Sequence, residues 1–101
     1  MEPKSLDTLH PATIAAQAAG LLDEGTGGVV PPIHPATTFV RDEGYAPVVQ
    51  GNVYSRSSAP NGQMVEQVLS QLEGAADAMV FPSGMAAVAS IFRTLPSGAT
   101  V

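Results

Sequence analysis

The sequence predicts an α/β fold, in which a mostly parallel sheet with flanking helices follows a long extended arm. Three observations lead to this prediction. Helical and strand patterns alternate in the second half, residues 25–62 are rich in glycine and proline without being polar, and residues 78–92 pass from an apolar strand through Pro-Ser-Gly into an apolar helix. We assign residues 1–61 to the arm and residues 62–101 to the beginning of an α/β domain that is truncated at Val101.

Charge and composition narrow the class of protein. The net charge is −5 with only four cationic side chains, which argues against nucleic-acid binding, and no basic cluster suggests a membrane surface. The chain has no cysteine, no signal-peptide core and no apolar stretch long enough to span a bilayer. We therefore expect a cytoplasmic protein that binds neither nucleic acid nor a membrane.

The first residues hold one short helical pattern. Met1 to Asp7 is expected to be a disordered start, and His10, which precedes a proline, is expected in a turn. Thr13 to Ala19 is rich in alanine and is followed by Gly20, which predicts two helical turns. A helix this short is stable only when it docks on another element.

Residues 25–62 predict an arm that packs on another surface. The stretch holds six glycines and five prolines, and its apolar side chains have no helical or strand period. A disordered linker would be more polar, so we expect burial against a second subunit. In a single chain, side chains such as Val29, Ile33, Phe39 and Val53 should then be substantially exposed. His34 has no histidine nearby, and no metal site is predicted.

Tyr54 and Arg56 stand at the end of the arm. In an extended backbone, side chains two residues apart share a face, so a phenol hydroxyl and a guanidinium group would lie side by side. This pair of donors suits a phosphate, while an exposed arginine beside a packed tyrosine is the alternative interpretation.

The second half predicts two helices and two strands. Residues 62–73 form an amphipathic pattern that stops at Gly74, with Glu66 on the polar side and an apolar side expected to cover the next strand. Residues 78–81 predict a buried strand, residues 85–95 an apolar helix, and another strand is expected near Thr100.

The Ser83-Gly84 junction has two interpretations. A helix that starts directly after a strand presents unpaired backbone N–H groups, and Gly84 would let an anion such as phosphate approach them. Alternatively, Ser83 only caps the helix with its hydroxyl.

Five motifs, taken in order, resemble the pyridoxal-phosphate enzymes of Cys/Met metabolism, the trans-sulfuration family of cystathionine γ-synthase, cystathionine γ-lyase and methionine γ-lyase type. They are Thr26 to Ile33, Ala36 to Phe39, Tyr54 to Arg56, Leu72 to Ala75 and Phe81 to Ala87. The resemblance implies a fold-type-I large domain, a lyase or transferase acting on sulfur amino acids or activated homoserine by β/γ-elimination or γ-replacement, and pyridoxal 5'-phosphate as cofactor.

The resemblance also implies roles for individual residues. The backbone N–H groups of Gly84 and Met85 would bind the cofactor phosphate, and Tyr54 and Arg56 would reach the phosphate of the neighbouring subunit. Active sites would then be shared across a dimer, within a homotetramer. The family's tyrosine at this position lies near the reacting carbons, which implies an assisting role for Tyr54 in the chemistry.

Two departures from the family pattern and one missing group qualify these roles. Where the family commonly has Asn-Pro-Thr, this chain has Ser58-Ala59-Pro60-Asn61, and the family's usual histidine near the start of the arm is absent, with Ala16 and Gln17 in that area. The only lysine is Lys4, so the Schiff-base lysine, the aspartate that pairs with the pyridine nitrogen and the ring-stacking residue are expected beyond Val101. The 101 residues alone are expected to be inactive.

Two other functions are compatible with the residues. One is a different phosphate- or nucleotide-binding α/β domain, which has no need for Tyr54 and Arg56. The other is an oligomerisation arm without a ligand, in which Ser83 acts only as a helix cap.

Overall fold

The computed structural model describes residues 9–101, and the prediction for Met1 to Asp7 lies outside them. The described residues form three α-helices and one short 3₁₀ turn: α1 (Pro11–Ala16), the 3₁₀ turn (Ala18–Gly20), α2 (Pro60–Glu73) and α3 (Gly84–Arg93). None of these helices has both the length and the apolar composition that crossing a bilayer requires.

Helix α1 begins earlier than its alanine pattern predicts. Pro11 occupies the first turn, where its missing N–H has no cost, and the Nδ1 atom of His10 accepts the Ala12 N–H at 3.2 Å. His10, predicted only as a turn residue, therefore caps the helix. The helix ends three residues before the predicted end because Ala18 and Ala19 adopt positive φ angles of 44° and 56°.

The packed centre of the described residues lies between α1, the 3₁₀ turn and α2. Ile14 and Ala19, each 5% exposed, are the buried apolar side chains found there. The apolar side of α2 lines a groove with Ala15 and Ala18, so the prediction that this side covers residues 78–81 is wrong. Docking on α2 supplies the support that a helix of six residues needs.

Helix α2 begins two residues earlier than predicted and ends at the predicted glycine. Pro60 takes the first position, and Gly74, at φ 62°, terminates the helix in the left-handed conformation. The Ala75 N–H then donates back to the Ser70 carbonyl at 2.8 Å. Helix α3 likewise starts one residue before the predicted Met85 and stops at Arg93, two residues short of the predicted end.

The predicted strands are not formed within residues 9–101, where the only β pairing is three isolated antiparallel bridges. Residues 78–81 and the residues near Thr100 carry no ladder. A parallel strand depends on hydrogen bonds from neighbours that are distant in sequence, and these two segments do not pair with each other. Residues 9–101 thus contain the helices of the α/β prediction but not its parallel sheet.

The arm turns back on itself instead of running straight. Its bridges join Asp23 to Gly28, Arg41 to Pro47 and Thr38 to Tyr54. The prediction of exposed apolar side chains is correct for Val29, 79% exposed, and Ile33, 88% exposed. Phe39 and Val53 are half-buried, because the folded-back arm covers part of their surface. The radius of gyration is 16.9 Å, against about 13 Å for a compact domain of this length.

Candidate functional site

The start of α3 leaves two backbone donors free. Ser83 has extended φ and ψ angles of −154° and 155°, its Oγ accepts the Ala86 N–H at 3.1 Å, and its carbonyl accepts the Ala87 N–H at 3.2 Å. The N–H groups of Gly84 and Met85, the first two helical residues, donate no hydrogen bond within residues 9–101. Capping by Ser83 and free donors at Gly84 and Met85 therefore occur together.

The space in front of these donors is open. No heavy atom lies within 4 Å of the position that a Cβ on Gly84 would take. Met85 is 76% exposed. The positive end of the α3 dipole points in the same direction as the free N–H groups, which makes the junction suitable for an anion.

Tyr54 and Arg56 are in contact, but not for the predicted reason. The Arg56 guanidinium carbon lies 4.8 Å from the centroid of the Tyr54 ring, a cation–π arrangement. The backbone is a turn instead of an extended segment, because the N–H groups of Ser57 and Ser58 both donate to the Tyr54 carbonyl at 2.9 Å. The predicted extended backbone at this pair is wrong, and stacking of the two side chains brings them together instead.

Backbone contacts with residues 37 and 38 hold the segment that carries Tyr54 and Arg56. The Ser55 N–H donates to the Thr37 carbonyl at 2.9 Å, next to the Thr38 bridge with Tyr54. Arg56 remains exposed and Tyr54 is 38% exposed. The guanidinium donors and the phenol hydroxyl are therefore accessible to a ligand or to a second chain.

A cleft of about 210 Å³ separates the Arg56 segment from α2. On one wall, the Gln63 Nε2 donates to the Ser58 Oγ at 2.6 Å. On the other, the Val80 N–H donates to the Glu66 Oε1 at 3.0 Å. Sequence reasoning placed Glu66 on the polar side of α2 and did not single out Gln63, since both contacts link the helix to segments whose position the sequence pattern does not reveal.

The replacement of the family's Asn-Pro-Thr sequence changes how α2 begins. Ala59, at the N-cap of α2, has no side-chain acceptor for the helix N–H groups. Asn61 instead holds the arm, because its Oδ1 accepts the His34 N–H at 2.8 Å and its Nδ2 donates to the Pro32 carbonyl at 3.0 Å.

The candidate residues form two separate groups within the described part of the chain. Tyr54 stacks with Arg56, and Gly84 lies next to Met85, but no hydrogen bond or ring contact joins one pair to the other. Each group offers donors to an anion. Lys4, the only lysine, lies outside the described residues.

Comparison with known proteins identifies the family. The model of the family described as Cys/Met metabolism PLP-dependent enzyme matches residues 12–101. The chain is 33% identical over 95 residues to canavanine gamma-lyase of Pseudomonas canavaninivorans, covering 90% of this chain and 24% of that protein. It is 37% identical over 89 residues to the cystathionine gamma-synthase/O-acetylhomoserine (thiol)-lyase of Bacillus subtilis (strain 168), covering 88% and 23%.

A third relative is the cystathionine gamma-lyase of Saccharomyces cerevisiae, 38% identical over 72 residues, or 71% of this chain and 18% of that protein. The chain thus spans less than a quarter of the length of these relatives. Because the family model covers nearly all of it, the chain belongs to the Cys/Met metabolism PLP-dependent enzymes, a family that uses pyridoxal phosphate.

Proposed function

We propose that this chain is the N-terminal, phosphate-binding part of a pyridoxal-phosphate-dependent enzyme that acts on a sulfur amino acid or an activated homoserine. The reaction would be a β- or γ-elimination or a γ-replacement. Family membership supports the cofactor. Relatives named cystathionine gamma-synthase/O-acetylhomoserine (thiol)-lyase and cystathionine gamma-lyase support the substrate class.

The observation that carries the proposal is the pair of free donors at the start of α3. The N–H groups of Gly84 and Met85 lack acceptors among residues 9–101, and the space beside Gly84 is open. A phosphate dianion supplies acceptor oxygens and interacts favourably with the helix dipole. These residues would hold the phosphate and orient the cofactor.

Tyr54 and Arg56 would contribute to the cofactor site of a neighbouring subunit. The Arg56 guanidinium can donate two parallel hydrogen bonds to phosphate oxygens, while stacking on Tyr54 limits its rotation. Exposed apolar side chains on the arm, including Val29 and Ile33, are suited to burial against that subunit. The assembly would be a dimer with shared sites, within a cytoplasmic homotetramer, and Tyr54 would assist the chemistry.

The cofactor, the residues of this chain and the rest of the enzyme would each supply a different part of the active site. When bound, pyridoxal phosphate acts as an electron sink that makes bonds at the substrate carbons labile. Residues 1–61 would form the arm that reaches the neighbouring subunit. Residues 62–101 would begin the cofactor-binding domain. The Schiff-base lysine, the partner of the pyridine nitrogen and the ring-stacking residue would come from the rest of the enzyme.

Substitutions at Gly84 in the full-length protein test whether the Gly84 N–H donates to the cofactor phosphate. Gly84→Pro removes one N–H, and proline is tolerated at the first helical position. The extended backbone of Ser83 also suits a following proline. Gly84→Ala keeps the N–H and serves as the matched control for the added side chain.

We expect the proline variant to bind pyridoxal phosphate about one to two powers of ten more weakly than the alanine variant, the value of one charge-assisted hydrogen bond. Titration followed by cofactor absorbance measures this, and pyridoxal without its phosphate should bind both variants equally. Equal phosphate-dependent affinity of the two variants would contradict a donor role for Gly84. Absence of any pyridoxal phosphate binding by the wild-type protein would contradict the proposed function.

A further inference from the structure

One face of α2 contacts the segments that carry both candidate phosphate-binding groups. Gln63 and Glu66 are three residues apart, so they lie on the same side of the helix, and both line the cleft beside Arg56. Gln63 holds Ser58, two residues after Arg56, through its Nε2 at 2.6 Å. Glu66 holds Val80, three residues before Ser83, through its Oε1 at 3.0 Å.

The Glu66 contact ties the segment that leads to α3 to helix α2. Residues 78–81 have no ladder partner within the described chain, and Ala78 bonds only to the adjacent Asp77 carboxylate. Within residues 9–101, the Val80 hydrogen bond to Glu66 is the one hydrogen bond that joins residues 78–82 to another element. This carboxylate therefore links the segment that leads into α3 to helix α2.

We propose that Gln63 and Glu66 form a brace that fixes both phosphate-binding groups to α2, and that Glu66 is the positioning residue for the N–H groups of Gly84 and Met85. This inference rests on the proposed function, since it concerns the same two phosphate-binding groups. Glu66 acts through Val80 and does not contact the cofactor.

The sign of the effect separates positioning from simple electrostatics. A carboxylate near an anion site repels phosphate, so removing its charge alone should tighten binding. Removing the hydrogen bond that positions the turn should weaken binding. Positioning therefore depends on the reach and acceptor capacity of residue 66, and electrostatic repulsion depends only on its charge.

Three substitutions in the full-length protein make this separation. Glu66→Gln loses the charge but keeps an acceptor oxygen of the same reach. Glu66→Asp keeps the charge, but its side chain is one carbon too short to reach the Val80 N–H, and Glu66→Ala lacks both. Glu73→Ala, which removes an exposed carboxylate from the same helix, is the matched control.

We expect the Asp and Ala variants to bind pyridoxal phosphate roughly tenfold more weakly, and the Gln variant to bind as tightly as the wild-type protein or more tightly. The control should be unchanged. The proposal would be overturned if Glu66→Asp bound the cofactor as the wild type does while Glu66→Gln and Glu66→Ala changed the affinity equally. The charge of residue 66 alone would then explain the result.

Hydrogen exchange of the Val80 amide gives a readout that does not depend on the cofactor. Exchange in the cofactor-free protein should be faster in the Asp and Ala variants and close to wild type in the Gln variant. Unchanged exchange in all three variants would overturn the brace. If the wild-type protein binds no pyridoxal phosphate, the proposed function fails, while Val80 exchange still decides whether Glu66 holds this segment.

The Gln63 side of the brace has its own test. Gln63→Ala should weaken cofactor binding only through Arg56, so its effect should vanish in an Arg56→Ala background. The effect of Glu66→Ala should persist in that background. Full additivity of Gln63→Ala with Arg56→Ala would contradict the Gln63 assignment.

Discussion

At the scale of single residues, Ser83 caps α3 and leaves the first two helix N–H groups without an acceptor among residues 9–101. Its Oγ satisfies the Ala86 N–H, the third donor of α3, so the first two donors remain for an anion. Capping and anion binding, treated from the sequence as alternatives, are compatible because they use different N–H groups.

Substitutions at Ser83 should separate these two roles. Ser83→Ala removes the cap and should lower the local stability of α3 by about 1 kcal/mol, with little change in cofactor affinity. Ser83→Asp should keep the stability, because aspartate is an equally good cap, but its carboxylate should repel the phosphate and weaken pyridoxal phosphate binding about tenfold or more.

Hydrogen exchange of the α3 amides measures the stability of the helix, and cofactor titration measures the affinity. Equal cofactor affinity for the Asp variant and the wild-type protein would mean that no phosphate binds at the start of α3.

At the scale of elements, local signals located the helices, while contacts between distant residues escaped prediction. Gly74 marks the end of α2, and the pattern after Gly84 marks α3, since caps and turns act within a few residues, whereas the start of α2 at Pro60 lies two residues before the predicted start. The Glu66 contact with Val80 and the side of α2 that faces α1 depend on tertiary packing, which has no signature in the spacing of residues.

The 3₁₀ turn after α1 offers a prediction at this scale. Ala18 is half-exposed at φ 44°, a conformation that costs an alanine about 1 kcal/mol or more and costs glycine nothing. Ala18→Gly should therefore stabilise the packing of α1 on α2 by about 0.5–1 kcal/mol, after allowing for the greater freedom of glycine in the unfolded chain.

Ala15→Gly is the matched control for this substitution. Ala15 is exposed inside α1, so glycine there should destabilise the helix by about 0.5–1 kcal/mol. Hydrogen exchange of the α1 amides in the full-length protein measures both changes. Destabilisation by Ala18→Gly of the same size as by Ala15→Gly would contradict the left-handed conformation at Ala18.

At the scale of the whole molecule, the exposed apolar surface points to contacts outside the described residues. Ile33, Val29 and Tyr45 on the arm and Ile91 on α3 are each more than 60% exposed. The predicted parallel sheet belongs to the same scale, because residues 78–81 can form a ladder only with strands that residues 9–101 do not provide. The family motifs were recognisable from the sequence because they are local.

The arm prediction is tested by complementation between two inactive variants of the full-length enzyme. Arg56→Ala should weaken cofactor binding by about 2–4 kcal/mol, because it would remove the proposed charge-assisted contact to the phosphate. A second variant lacks the Schiff-base lysine and keeps Arg56. Neither should show much activity alone.

Mixed dimers should recover activity if Arg56 acts on the neighbouring subunit. In such a dimer, the chain that keeps the lysine receives Arg56 from its partner, so one of the two sites is complete. An equal mixture with random exchange of chains should therefore reach about a quarter of wild-type activity. Exchange is followed by native mass spectrometry of a size-tagged chain. Mixed dimers that form and stay inactive would mean that Arg56 serves its own subunit, and the intersubunit role of the arm would be wrong.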